Sequence, residues 1–171
     1  AELTYGRKHV SVASHEGMRE RTIVANGFSK AYAMTGWRMG YLCAPAPILK
    51  EMLKLHQFAI MCAPTTSQYA AIEALKNCDG EVAKMLEEYD MRRKIMVSGF
   101  NKLGLECREP KGAFYAFPDI SRFGLSDEEF CTRLITEGGV ATVPGSCFSC
   151  PGHIRISYCC ADSQLETGMD R

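Results

Sequence analysis

Hydrophobic and polar positions alternate along this chain in two rhythms, one of strands and one of helices. Arg21 to Ala25 and Met39 to Cys43 are short apolar runs bounded by turn residues, and each is predicted to be a buried strand. Pro45-Ala46-Pro47 ends the second run and puts Pro47 in the first turn of a helix whose apolar stripe is Leu49, Met52, Leu53, Leu55 and Phe58. His56 on that helix reads as structural. Another helix opens at Pro64-Thr65-Thr66, runs through Ala70, Ala71, Ala74 and Leu75, and stops between Asn77 and Gly80. The hydroxyls near its start, Ser67 among them, read as N-terminal caps. The longest helix is expected from Glu81 to Leu103, with Met85, Tyr89, Met96 and Phe100 on its apolar face and Gly104 as its stop. Lys84, Glu88 and Arg92, spaced by four, form its solvated face.

Beyond Gly104 the pattern shortens. Leu105 to Arg108 and Ala113 to Phe117 are strand-like and are joined by the turn cluster Glu109-Pro110-Lys111-Gly112. Ser126, followed three residues on by Glu129, is a capping box, so a helix is predicted from there to Glu137, ended by Gly138-Gly139. Strands Val140 to Val143 and Ile154 to Tyr158 follow, and Asp162 caps a last helix. The order strand, strand, helix, strand, strand, helix is that of a small α/β domain. The first 20 residues are polar and irregular, with a turn at Tyr5-Gly6-Arg7-Lys8, and read as a connecting loop.

Composition narrows the partners. Lysine plus arginine and aspartate plus glutamate number 20 each in 171 residues, so no basic field points to nucleic acid. No apolar run approaches the roughly 20 residues of a membrane helix, and Glu2, Arg7 and Lys8 do not suit a signal peptide. A small-molecule partner and a cytoplasmic location are the expectation. Nine cysteines, with Cys147-x-x-Cys150 followed by Cys159-Cys160, raise a zinc reading. The odd number and the apolar settings of Cys43, Cys62, Cys107 and Cys131 favour reduced thiols and no metal.

The candidate chemistry is concentrated between Asn26 and Tyr41. Lys30 follows the first strand-like run, and Arg38 follows it behind Thr35-Gly36-Trp37. An amine held at a strand end, partly desolvated by Phe28, Tyr32, Met34 and Trp37, is available as a nucleophile for Schiff-base chemistry. Arg38 offers a planar fork of donors suited to a phosphate. Pyridoxal phosphate carries both an aldehyde and a phosphate. Arg155 alternates with Ile154 and Ile156 along its strand and so points away from the apolar face.

The run Ser29-Lys30-x-x-x-Met34-Thr35-Gly36-Trp37-Arg38-x-Gly40-Tyr41 resembles the lysine motif of fold type I pyridoxal-phosphate aminotransferases, the aspartate aminotransferase superfamily. The likeness continues through Lys111-Gly112-Ala113-Phe114-Tyr115 and Pro144-Gly145-Ser146-Cys147-Phe148 to Arg155-Ile156-Ser157-Tyr158. In order and spacing it agrees with the C-terminal half of that family. The resemblance implies an α/β fold type I architecture, with the end of a large cofactor domain over 1–90 and most of a small domain over 91–171. It implies transamination between an L-amino acid and a 2-oxo acid by a homodimer that uses pyridoxal 5'-phosphate. Lys30 would hold the cofactor and move the α-proton, Arg38 and Ser29 would bind its phosphate, and Arg155 would grip the substrate carboxylate. A lyase of the same fold, or a non-catalytic sensor domain of a transcription regulator, are the alternatives. The chain departs from the family pattern at Gly27, where many relatives carry a hydroxyl, and at Ser149, where they carry glycine. The aspartate that meets the cofactor's ring nitrogen belongs to a stretch expected upstream of Ala1, so the chain alone is expected to be inactive.

Overall fold

A computed structural model describes residues 3–171. Ala1 and Glu2, where the connecting loop is expected to begin, lie outside the described residues. Two compact units emerge, Lys8–Lys84 and a second made of Leu3–Arg7 with Met85–Arg171.

In the first unit, strand β1 (Val24–Gly27) pairs antiparallel with β2 (Gly40–Cys43), in register from Val24 opposite Cys43 to Gly27 opposite Gly40. The facing glycines allow close approach: a Cβ on Gly40 would stand 3.1 Å from the Asn26 carbonyl. Between the strands lie the single-turn helix α1 (Phe28–Ala31) and the rest of the lysine motif. Helix α2 (Ala46–Ala59) carries Pro47 in its first turn, where the missing N–H costs nothing. Helix α3 (Thr65–Asn77) buries Ala71 and Ala74 against Phe28 and Met34. The two strands were expected to be buried, and they are not. Every residue of β2 is exposed and β1 is at best half-buried, because among the described residues they pair only with each other.

Helix α4 (Asp79–Lys102) runs from the first unit into the second and buries Arg93, Met96 and Phe100 there. Met96 and Phe100, four apart on one face, meet Leu105, Cys107, Ala116, Tyr158 and Leu165 in the larger core of the second unit. The sheet has the order β3 (Tyr115–Ala116), β5 (Ile154–Ser157), β4 (Val143–Pro144), all antiparallel. Helix α5 (Asp127–Gly138) begins where the Ser126 hydroxyl accepts the Glu129 N–H at 3.1 Å, and it ends on Gly139 at φ 69°. Helix α6 (Asp162–Met169) closes the chain, with Ala161 rather than Asp162 at its N-cap. Asp162 instead accepts from Arg92 Nε at 2.7 Å, which takes Arg92 out of the purely solvated face expected for it.

Leu105 to Arg108 forms no strand. Leu105 and Cys107 are buried, but the Cys107 N–H is spent on the Asn101 side chain at 3.2 Å, so no ladder develops. The segment Leu3–Arg7 is more than a connector. Thr4 bridges Gly112, the Ala113 N–H donates to the Leu3 carbonyl at 2.8 Å, and a Cβ on Gly112 would meet that carbonyl at 2.9 Å. The buried Tyr5 ring lies 4.7 Å below the Arg93 guanidinium, which is itself held by Asp90 and Glu109. Lys94 and Arg93 hold the Asp90 carboxyl below the usual range, and Lys111 and Arg93 do the same for Glu109.

Candidate active site

Lys30 and Arg38 stand near the two ends of one closed loop. The Gly27–Gly40 pair and the Phe28 N–H to Met39 carbonyl bond at 3.2 Å bring those ends together. Inside the loop, Phe28 and Met34 turn down into the core, while Lys30 and Arg38 face solvent. Lys30 is therefore not desolvated by this chain: the side chains expected to shield it pack on Ala71 and Ala74 instead, and Trp37 is 46% exposed. The Lys30 amine and the Ser29 hydroxyl have no protein partner among the described residues. Arg38 Nη1 donates to the Thr35 carbonyl at 3.0 Å, which leaves the rest of its fork open.

The turn between them is strained. Ala33 (φ 53°) and Arg38 (φ 51°) both occupy the left-handed region without being glycine, a cost of about 1–3 kcal/mol each that is tolerated where surrounding structure enforces it. Part of that enforcement comes from Ser67. It does not cap α3, whose N-cap is Pro64; its buried hydroxyl donates 2.7 Å to the carbonyl of Trp37, the residue just before Arg38. The sequence offers no local signal that would link Ser67 to a position thirty residues away, so the hydroxyl reads there as a cap.

Arg155 in the second unit has a different setting. It is half-buried on β5, and its guanidinium carbon stands 4.5 Å from the centre of the Tyr115 ring and 4.5 Å from that of Phe148. No hydrogen bond or ion pair engages it among the described residues. Arg93 in the same unit is the contrast, an arginine already satisfied by two carboxylates. An arginine without an acidic partner among the described residues, flanked by two aromatic rings and only half-buried, is fit to receive an anion.

Phe148 is delivered by the tight turn Gly145–Phe148. The buried Asp127 carboxylate accepts the Ser146 N–H at 2.6 Å, and that bond holds its pKa below the usual range. Gly145 admits no side chain, since a Cβ would lie 2.2 Å from the Cys150 carbonyl. Ser149, where the resemblance implies glycine, takes the left-handed conformation at φ 58°, ψ 30°. Among the cysteines, Cys150 Sγ lies 3.5 Å from His153 Nδ1, and Cys43 and Cys62 are exposed rather than set in apolar surroundings.

Such features are those of a fold type I α/β protein. The sequence matches the profile of class I and II aminotransferases over residues 1–171, and the chain belongs to that family. It is 47% identical over 96% of its length to an aspartate aminotransferase of Pyrococcus abyssi, covering 43% of that protein. It is 45% identical over 97% of its length to aromatic-amino-acid aminotransferase 2 of Thermococcus litoralis, covering 44% of it. The crystal structure of an aromatic aminotransferase from Pyrococcus horikoshii superimposes with a TM-score of 0.95 at 44% identity, over 98% of this chain and 46% of that one. The chain thus spans less than half the length of the relatives it matches.

Proposed function

We propose that the protein carrying this chain moves an amino group between an L-amino acid and a 2-oxo acid with pyridoxal 5'-phosphate, as a cytoplasmic homodimer. The observation that carries this reading is the closed loop that carries, near its two paired ends, the Lys30 amine, unpartnered among the described residues, and an Arg38 guanidinium with one hydrogen bond to the protein. When bound, the cofactor supplies an aldehyde for amines and a ring that withdraws electrons from the substrate's α-carbon. Lys30 would hold the aldehyde end and, once freed by the incoming amine, carry the α-proton. Ser29 and Arg38 would hold the phosphate, and Arg155 would pair with the substrate carboxylate. The homodimer and the cytoplasmic location rest on the family resemblance, with free thiols at all nine cysteines agreeing with a reducing compartment.

Borohydride reduction of the full-length protein with pyridoxal phosphate, followed by peptide mapping, should place the label on Lys30. Lys30→Ala should lower turnover by at least about 10²-fold without lowering the thermal stability of the cofactor-free protein, because Lys30 is exposed and unpartnered among the described residues. Label on Lys50 or Lys54, or turnover that survives the substitution, would overturn the assignment.

A further inference from the structure

The geometry points to Phe148 and Tyr115 as positioning residues that clamp the Arg155 guanidinium for carboxylate binding, with Asp127, acting through Ser146, setting where Phe148 stands. The inference rests on the reading of Arg155 as the carboxylate anchor and adds how that anchor is held. A guanidinium on three methylenes is a poor receptor while it rotates, because bidentate pairing needs its plane fixed before the anion arrives. Within proteins, carboxylates usually fix such planes. Arg93 shows this in the same unit, held by Asp90 and Glu109. An acid beside Arg155 would compete with the substrate for the same donors. Ring faces avoid that competition: each attracts the cation without accepting an N–H, and both centroids lie at 4.5 Å.

One of the two rings depends on a distant residue. Tyr115 sits on β3, paired directly to β5, so its position follows from the sheet. Phe148 sits on a turn outside the sheet and is 43% exposed, so something else must place it. The Ser146 N–H is anchored to the buried Asp127 carboxylate at 2.6 Å. The Gly145 N–H is anchored to the His153 carbonyl at 2.8 Å, and the Cys150 N–H closes the turn on the Gly145 carbonyl at 3.0 Å. The Phe117 ring then meets Phe148 edge-on at 6.2 Å. Asp127 therefore contributes to carboxylate recognition without touching the substrate.

The test compares an L-amino acid with the primary amine of the same side chain that lacks the carboxylate, in the full-length holoenzyme. Phe148→Leu should raise KM for the amino acid about tenfold while leaving kcat, and both constants for the amine, within about twofold; Phe148→Tyr should restore binding. Asp127→Ala should move the same KM by about threefold, a part of the Phe148 effect, and Asp127→Asn, which keeps an acceptor for Ser146, should recover most of it. Tyr115→Leu gives the same readout if a Phe148 variant does not fold. Equal losses on both substrates would mean a structural role only and would overturn the clamp. So would an unchanged amino-acid KM in Phe148→Leu when Arg155→Lys raises it, a result that leaves the carboxylate reading standing. If Arg155→Lys itself leaves that KM unchanged, the anchor reading fails and the clamp falls with it.

Discussion

The two units bury their apolar residues on different scales. In Lys8–Lys84 the core is Phe28, Met34, Ala71 and Ala74, while α2 buries nothing and leaves Leu55 73%, Met61 77% and Phe58 96% exposed at and just beyond it. In the unit of Met85–Arg171 one cluster joins Met96, Phe100, Leu105, Cys107, Ala116, Tyr158 and Leu165, and a second joins Ile120, Cys131 and Ile154. The lysine loop therefore stands on backbone pairing, a small cluster and one serine, whereas Arg155 stands on a strand whose neighbour Ile154 is fully packed. In the first unit, placement of chemical groups depends on a few hydrogen bonds. In the second, packing does most of the placing.

The contrast is broken most directly by deleting one large ring from each unit. Phe100→Ala should cost about 3–5 kcal/mol, as removal of a buried ring leaves a cavity in a closed core. Phe58→Ala, at a 96% exposed position, should stay within about 0.5 kcal/mol. Guanidinium unfolding of the 171-residue chain would measure both. Comparable losses would show that the α2 face is covered in solution, and the difference in burial between the units would disappear.

A smaller effect sharpens the role of hydrogen bonding in the first unit. Ser67→Ala removes the hydroxyl that holds the Trp37 carbonyl and should cost about 1 kcal/mol. Trp37 is the only tryptophan of the chain, so its fluorescence reports the lysine loop selectively. A red shift together with faster quenching is expected. An unchanged spectrum would mean that the Gly27–Gly40 pair alone holds the loop.

Local signals were legible in the sequence, and long-range ones were not. The Ser126 cap and the Gly139 stop of α5 use residues three or four apart, and the structure places both where the pattern does, with the Ser126 hydroxyl accepting the Glu129 N–H. The three helices from Ala46 to Lys102 likewise follow from apolar spacing and proline placement. Leu105–Arg108 alternates like a strand yet gives its amide to Asn101, a choice that only the folded turn reveals. The strands flanking the lysine read as buried because apolar runs signal burial without saying by what. Lys30, Arg38 and Arg155 could be singled out from motif resemblance. Ser67, Asp127 and the rings around Arg155 could not, since each acts across a separation that no periodicity encodes.

The smallest effect concerns strain within the well-packed unit. Five non-glycine residues have positive φ among those described: Ala33, Arg38 and Met61 in the first unit, Ala113 and Ser149 in the second. Ser149 is the one at which the resemblance implies glycine, and its αL geometry at φ 58° ends the turn that carries Phe148. Its N–H bonds to the Ser146 carbonyl at 3.1 Å, so the conformation is held by the same turn that Asp127 anchors. Ser149→Gly should relieve the Cβ clash and stabilise the fold by about 0.5–1 kcal/mol, the gain reduced by the greater freedom of glycine in the unfolded chain. Melting temperature measures the first part. Amino-acid KM in the full-length protein measures the second, and it should stay unchanged, because the turn keeps the same backbone path with less strain. A rise in stability paired with a rise in KM would show that the strained serine helps press Phe148 against Arg155, and packing alone would no longer account for how the second unit places its groups.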